Sequence, residues 1–229
     1  MALLKTGAML EGLHGKAGNA VYVRTASGVS VRDYVIPRDP KSPLQRAARQ
    51  RIARCAEAWH QLTPQQGQRW REYALRLGKR EPGSQTVVAP RAQNVFNALA
   101  CRLQQLDPNA VIPLEPPASI YFGESVAINV TASAGEITFE ASAPNTANVV
   151  TDLLIQRLTG GASTPQLKEY RHQTFVSFSS GHLSETLSVE PGWYACAFRF
   201  VNTETGQDTG LTIAGIVRRN PNGACSGGV

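Results

Sequence analysis

The chain has 229 residues, 42% of them hydrophobic, enough to furnish cores for two small domains. Only 17% are charged, and no apolar run approaches the roughly 18 residues of a helical membrane span, which excludes a charged coil and an integral helical membrane protein. The net charge of +6 is unevenly placed: residues 1–110 carry 17 Lys and Arg against 7 Asp and Glu, and residues 111–229 carry 6 against 10.

The N-terminal stretch reads as a poor signal peptide. Lys5 and Glu11 confine its apolar run, and no small-residue cleavage site follows. Synthesis in the cytoplasm is therefore expected. The segment Gly12-Leu-His-Gly15-Lys16-Ala-Gly18-Asn19 is rich in glycine, but Ala17 follows Lys16 and a strand follows the loop. A phosphate-binding loop needs Ser or Thr there and then a helix, so tight turns are the expectation. Residues 19–36 predict a β-hairpin, with Val21 and Val23 alternating with Tyr22 and Arg24, then Val29, Val31 and Val35 alternating with Ser30, Arg32 and Tyr34.

Pro37-Arg-Asp-Pro40 is extended, and Ser42-Pro43-Leu44-Gln45 then carries the signature of a helix start. This helix is predicted to run to about Leu62, with Leu44, Ala48, Ile52, Cys55 and Trp59 on its buried face. Thr63-Pro64-Gln65-Gln66 repeats the signal and opens a second helix bearing Trp70, Tyr73, Ala74 and Leu77, ended by Gly78. Glu81–Ser84 is a loop. A third helix after Pro90 buries Ala92, Val95, Phe96, Leu99, Leu103 and Leu106 and stops at Asp107-Pro108-Asn109.

Beyond Pro113-Leu-Glu-Pro116-Pro117 the hydrophobic period changes from that of a helix to alternation. Strands are predicted near 125–131, 136–142, 149–159, 168–178, 184–189, 192–201 and 210–218, as in a β-sandwich of the immunoglobulin or fibronectin type. Tyr194 stands two residues before Cys196 at the start of a strand, the pattern of a tyrosine corner, and Pro191-Gly192-Trp193-Tyr194 resembles the Pro-Gly-x-Tyr turn of fibronectin type III modules. No cysteine occupies the partner strand, where Ile137 and Phe139 stand, so no inter-sheet disulfide is expected. The expected class is α+β in two domains: a basic hairpin plus three-helix domain over 1–110, a Pro-rich linker at 111–118, a seven-stranded sandwich over 119–219 and a Gly/Ser tail at 220–229.

Little of this sequence carries chemistry. The four cysteines, Cys55, Cys101, Cys196 and Cys225, form no C-x-x-C pair, and Cys55 and Cys101 fall on apolar helix faces as small buried thiols. His14, His60, His172 and His182 are scattered, which argues against a metal centre. There is no G-x-S-x-G elbow, and Glu136 and Glu140 share one strand face as solvated carboxylates. A non-enzymatic protein without a cofactor is expected. The one conspicuous feature is a set of cations, Arg46, Arg49, Arg51, Arg54, Arg69, Arg71, Arg76, Lys79 and Arg80. They read as a surface facing solvent or a protein partner, with nucleic-acid binding as the alternative.

The segments Gly15-Lys-Ala-Gly18-Asn19-Ala-Val21 and Pro37-Arg-Asp-Pro40-Lys-Ser-Pro43 with Gln45, followed by Trp59, Leu62, Thr63, Gln66, Trp70, Tyr73 and Ala74, carry a resemblance. Residues 12–106 resemble a group of small proteins of bacterial genomes, prophages and phages, in which a hairpin and a PRxPxTPxQ helical segment precede a β-sandwich. The resemblance implies a structural component, capsid- or tail-associated, and transfers no functional residue. A homo-oligomer, contacting copies of itself and other particle proteins in a virion or in the host cytoplasm during assembly, is therefore expected. A nucleic-acid-binding protein and an extracellular or cell-surface filament subunit are the alternatives.

Overall fold

The computed structural model describes residues 2–4, 14–25, 28–80, 87–133 and 135–219. The expected loop at 81–84, the tail at 220–229 and Cys225 lie outside these residues. Within them the protein is α+β, with three helices and antiparallel sheets, and no helix is long and apolar enough to cross a membrane. The chain forms two compact units, Met1–Arg46 and Ala47–Val229. The division falls inside the first helix, and residues 111–118 lie within the second unit.

In the first unit β1 (Ala2–Leu4), β2 (Gly15–Ala17), β3 (Ala20–Thr25) and β4 (Gly28–Asp33) form one sheet in the order β1-β4-β3-β2. The hairpin β3–β4 pairs Ala20 with Asp33 and Thr25 with Gly28. The glycine-rich segment supplies a strand as well as turns, because Gly15 and Gly18, at φ +100° and +56°, bend the chain so that Lys16 pairs with Val21. The Tyr34 amide still donates to the Asn19 carbonyl across the hairpin, and Val35 and Ile36, expected to continue β4, leave the sheet.

Helix α1 (Pro43–His60) begins where predicted: the Gln45 amide donates to Ser42 Oγ, and the Ser42 amide donates to Gln45 Oε1. Its predicted buried face is only half realised. Cys55 is fully buried and Trp59 packs partly, but Leu44 is 83% exposed and Ile52 55%. The cause is that α2 and α3 cover only the C-terminal half of α1.

Helix α2 (Pro64–Arg76) opens with the full reciprocal capping box of Thr63 and Gln66. The short strands β5 (Lys79–Arg80) and β6 (Val87–Val88) pair before α3 (Ala92–Leu106). Trp70 and Phe96 meet edge to face at 5.1 Å, and Trp59 meets Phe96 at 5.4 Å, the centre of a core that includes Tyr73, Ala74, Val95 and Ala100.

The rest of the second unit is two sheets. The strands β7 (Ile128–Ala132), β8 (Glu136–Ala141) and β11 (Ser184–Ser188) form one, in the order β11-β8-β7. The strands β9 (Val149–Leu158), β10 (Arg171–Val176), β12 (Gly192–Asn202) and β13 (Thr212–Arg219) form the other, in the order β10-β9-β12-β13. Ile137 and Phe139 on β8 face Leu153 and Ile155 on β9 and Cys196 and Phe198 on β12 in a common core. The other face of the four-stranded sheet is also covered. Leu154, Leu158, Ala195 and Ala197 lie under Tyr170, Trp193 and Leu211, and Gln156 holds the covering loop by accepting from the Gln166 amide and donating to Glu169. This double coverage is why β9 is buried along nearly its whole length instead of alternating between buried and exposed.

Candidate interaction surface and the ties that hold it

The helical cations are exposed, apart from the half-buried Arg51. Several of them hold the protein's own backbone. Arg54 donates to the Pro108 carbonyl at 3.1 Å, Arg76 donates to the Ala118 carbonyl at 3.1 Å, and Arg69 pairs with Glu115 at 3.0 Å. Trp70 Nε1 adds a bond to the Leu114 carbonyl at 2.9 Å. The Pro-rich segment after α3 is thus a strap fastened along the helices. Within the first unit Arg46 Nε donates to the Lys41 carbonyl. Arg71 reaches only Gln68, a residue of its own helix. Arg49 also takes part in an interaction. Lys79 sits in β5, and the side chain of Arg80 lies outside what the structure describes. Among the cations the predicted set thus mixes structural ties with outward-facing charge.

The sequence reading missed a chain of charges that joins the helices to the sandwich. Asp152 on β9 is fully buried, and it accepts from Arg199 on the neighbouring β12 at 2.7 and 2.8 Å and lies 2.5 Å from His172 Nδ1 on β10. Arg199 also reaches Asp208 at 3.1 Å, and Asp208 pairs with Arg102 of α3 at 2.8 Å. Arg102 donates further to the Gly206 carbonyl at 2.7 Å. Burial works to lower the Arg102 pKa below its ordinary value, and Asp208 opposes that effect. Each carboxylate is flanked by cations and hydrogen bonds, which is what allows charge in such a place. The available signal was an Asp and an Arg each set among apolar residues of a long strand, VVTDLLIQRL and GWYACAFRFVN.

The same contact includes Tyr73 of α2, whose hydroxyl accepts from Gln207 Nε2 at 2.8 Å; that amide also donates to the Ser119 carbonyl. Burial raises the Tyr73 pKa, so the phenol stays protonated. Between α2, α3 and the strap lies a cavity of ≈ 190 Å³, lined by Trp70, Phe96, Leu99 and three prolines, Pro113, Pro116 and Pro117. Its lining is mostly apolar but includes two carboxylates, Glu115, which pairs with Arg69, and Glu204, which accepts from Asn148. Among the described residues no cluster of His, Cys, Asp and Glu has the make-up of a metal site.

The expected tyrosine corner is present: Tyr194 donates its hydroxyl hydrogen to the Glu190 carbonyl at 3.0 Å. Glu136 and Glu140 are both exposed.

No family model and no curated protein matches the chain. The solution structure of the fibronectin type-III domain of human fibronectin type III domain containing protein 3 is similar over 46% of this chain and 96% of that domain, at 13% identity and a TM-score of 0.29.

Proposed function

We propose that this chain is a non-enzymatic structural protein of a phage or phage-like particle, capsid- or tail-associated, which assembles through contacts with copies of itself and other particle proteins. One observation carries the reading. The sheet of the first unit has almost no core of its own: among its described side chains only Val29 and Ser30 are buried. Val35, Ile36 and Leu44 meanwhile stand 72%, 76% and 83% exposed. A small sheet is stable only when one apolar face is packed, and exposed apolar groups of this density mark protein contacts. Burying those three side chains would contribute on the order of 5 kcal/mol, the scale needed to order such a unit against a neighbour.

The seven strands β7–β13 read as a fibronectin type III-like sandwich. Their fourth strand, β10, stands beside β9 instead of joining the sheet of β7, β8 and β11 as in an immunoglobulin constant domain, and the tyrosine corner is shared by this class. The basic first half and acidic second half make a head-to-tail contact between copies electrostatically favourable. The nucleic-acid alternative has weaker support, since Arg54, Arg69 and Arg76 are engaged in holding the strap.

Sedimentation velocity of the purified full chain, with negative-stain electron microscopy, tests the reading. Concentration-dependent assembly is expected, and Ile36→Asp is expected to weaken it at least about tenfold, equivalent to ~1.4 kcal/mol. A strictly monomeric wild type up to high concentration, with no incorporation into particles, would overturn it.

A further inference from the structure

Two cysteines that are 46 positions apart in sequence meet in the helical core. The sulfur of Cys55 on α1 lies 3.4 Å from that of Cys101 on α3. The contact differs from an ordinary packed thiol in two respects. The partners differ in access: Cys55 is fully buried, whereas Cys101 is only partly buried and lines an open hollow of ≈ 230 Å³ with Arg51, Arg102 and Arg199. The two sulfurs also belong to different helices, so a bond between them would tie α1 to α3 through the helical core. A disulfide needs a separation of about 2.05 Å, so forming one requires the two side chains to rotate about Cα–Cβ until the sulfurs close the remaining gap.

We propose that Cys55 and Cys101 are a dithiol–disulfide couple that staples α1 to α3 when the protein meets a low-molecular-weight disulfide. Cys101 is the entry point, because its side chain lines the hollow that admits the oxidant whereas Cys55 is enclosed. Its sulfur attacks the small disulfide, forming a mixed disulfide and expelling one small thiolate. Cys55 then loses its proton to solvent or to that thiolate. Its sulfur attacks the Cys101 sulfur, the protein disulfide forms, and the second small thiol leaves. Two protein thiols are oxidised and one small disulfide is reduced to two thiols. Burial pushes the Cys55 thiol up to about 12, with neighbouring Cys101 adding to the effect and Arg51 opposing it, so the second step is the slow one. Cys196 is the internal comparison: it is equally buried, but it packs among Ile137, Phe139 and Phe198 of the sandwich.

The test is incubation of the native full chain with oxidised glutathione, followed by intact mass and peptide mapping. The wild type is expected to lose two hydrogens and to yield a Cys55–Cys101 linked peptide, with Cys196 unmodified. Cys55→Ala should stop at a glutathione adduct on Cys101, and Cys101→Ala should leave Cys55 unreacted. The melting midpoint of the wild type should rise on oxidation and return with dithiothreitol. A wild type that stays dithiol, keeps a glutathione adduct on Cys101, or links either residue to a different cysteine overturns the proposal. The wild-type map decides the matter even if a variant fails to fold.

Discussion

Gly206→Ala is the sharpest test of how the helices are seated on the sandwich. Gly206 lies in the turn between β12 and β13 at φ +70°, a left-handed conformation costing an L-residue about 1–2 kcal/mol. A Cβ there would stand 2.4 Å from the Leu99 carbonyl oxygen of α3 and 3.0 Å from Leu103 Cγ, where ordinary contact begins at 3.4 Å. The first obstacle is helix backbone, so it cannot swing aside as a side-chain tip would. The turn and α3 must separate by about an ångström, and overpacking of this kind costs about 1–3 kcal/mol. The same movement stretches the 2.7 Å bond from Arg102 to the Gly206 carbonyl. The expected loss is about 2–5 kcal/mol in urea unfolding followed by far-ultraviolet circular dichroism. Gly160→Ala is the control, since a Cβ at Gly160 meets nothing within 4 Å and its φ is ordinary. A Gly206→Ala loss below about 1 kcal/mol, or one equal to that of the control, would refute the close approach.

Other substitutions probe the remaining ties. Arg102→Met removes one partner of Asp208 but leaves Arg199 in place, so calorimetry should show a destabilisation of about 3 kcal/mol, at the low end of the range for breaking a buried pair. Tyr194→Phe deletes the corner hydrogen bond and should cost about 1 kcal/mol, with an unchanged circular dichroism spectrum confirming that the fold persists. Alkaline pH should destabilise the protein: burial raises Cys196 from 9.0 to about 12, so its contribution is complete below pH 9 and is lost as pH rises towards 12. Within that window the slope approaches about 1.4 kcal/mol per pH unit for each such thiol, and Cys196→Ala should flatten it in pH-stepped urea melts.

Much of the fold is legible because its signals are local. The capping residues Ser42, Thr63 and Gln66 bond to groups within three positions of themselves, so a short window of sequence contains both partners. The alternation that exposes Glu136 and Glu140 while burying Ile137 and Phe139 is likewise a property of one strand. The corner at Tyr194 reaches back only four positions.

What concerns surfaces needed the tertiary structure. Leu44 and Ile52 have the spacing of a buried face, yet periodicity says only that a face exists and is silent on whether another element reaches it. The Arg54, Arg69 and Arg76 side chains look like free charge until the strap at 108–118 is seen against them. Asp152, Arg199, Asp208 and Arg102 form one connected set, and Cys55 finds Cys101, across separations that start at nine residues and, for Arg102 and Asp208, exceed a hundred, for which no period exists. The sequence by itself therefore determined where helices and strands begin and which face of each is apolar, because backbone hydrogen bonding and side-chain direction are settled within a turn or a pleat. Only the tertiary structure decided which apolar faces stay uncovered, which charges are spent within the chain and which thiols meet, because burial and pairing depend on elements that the chain brings together only when it is folded.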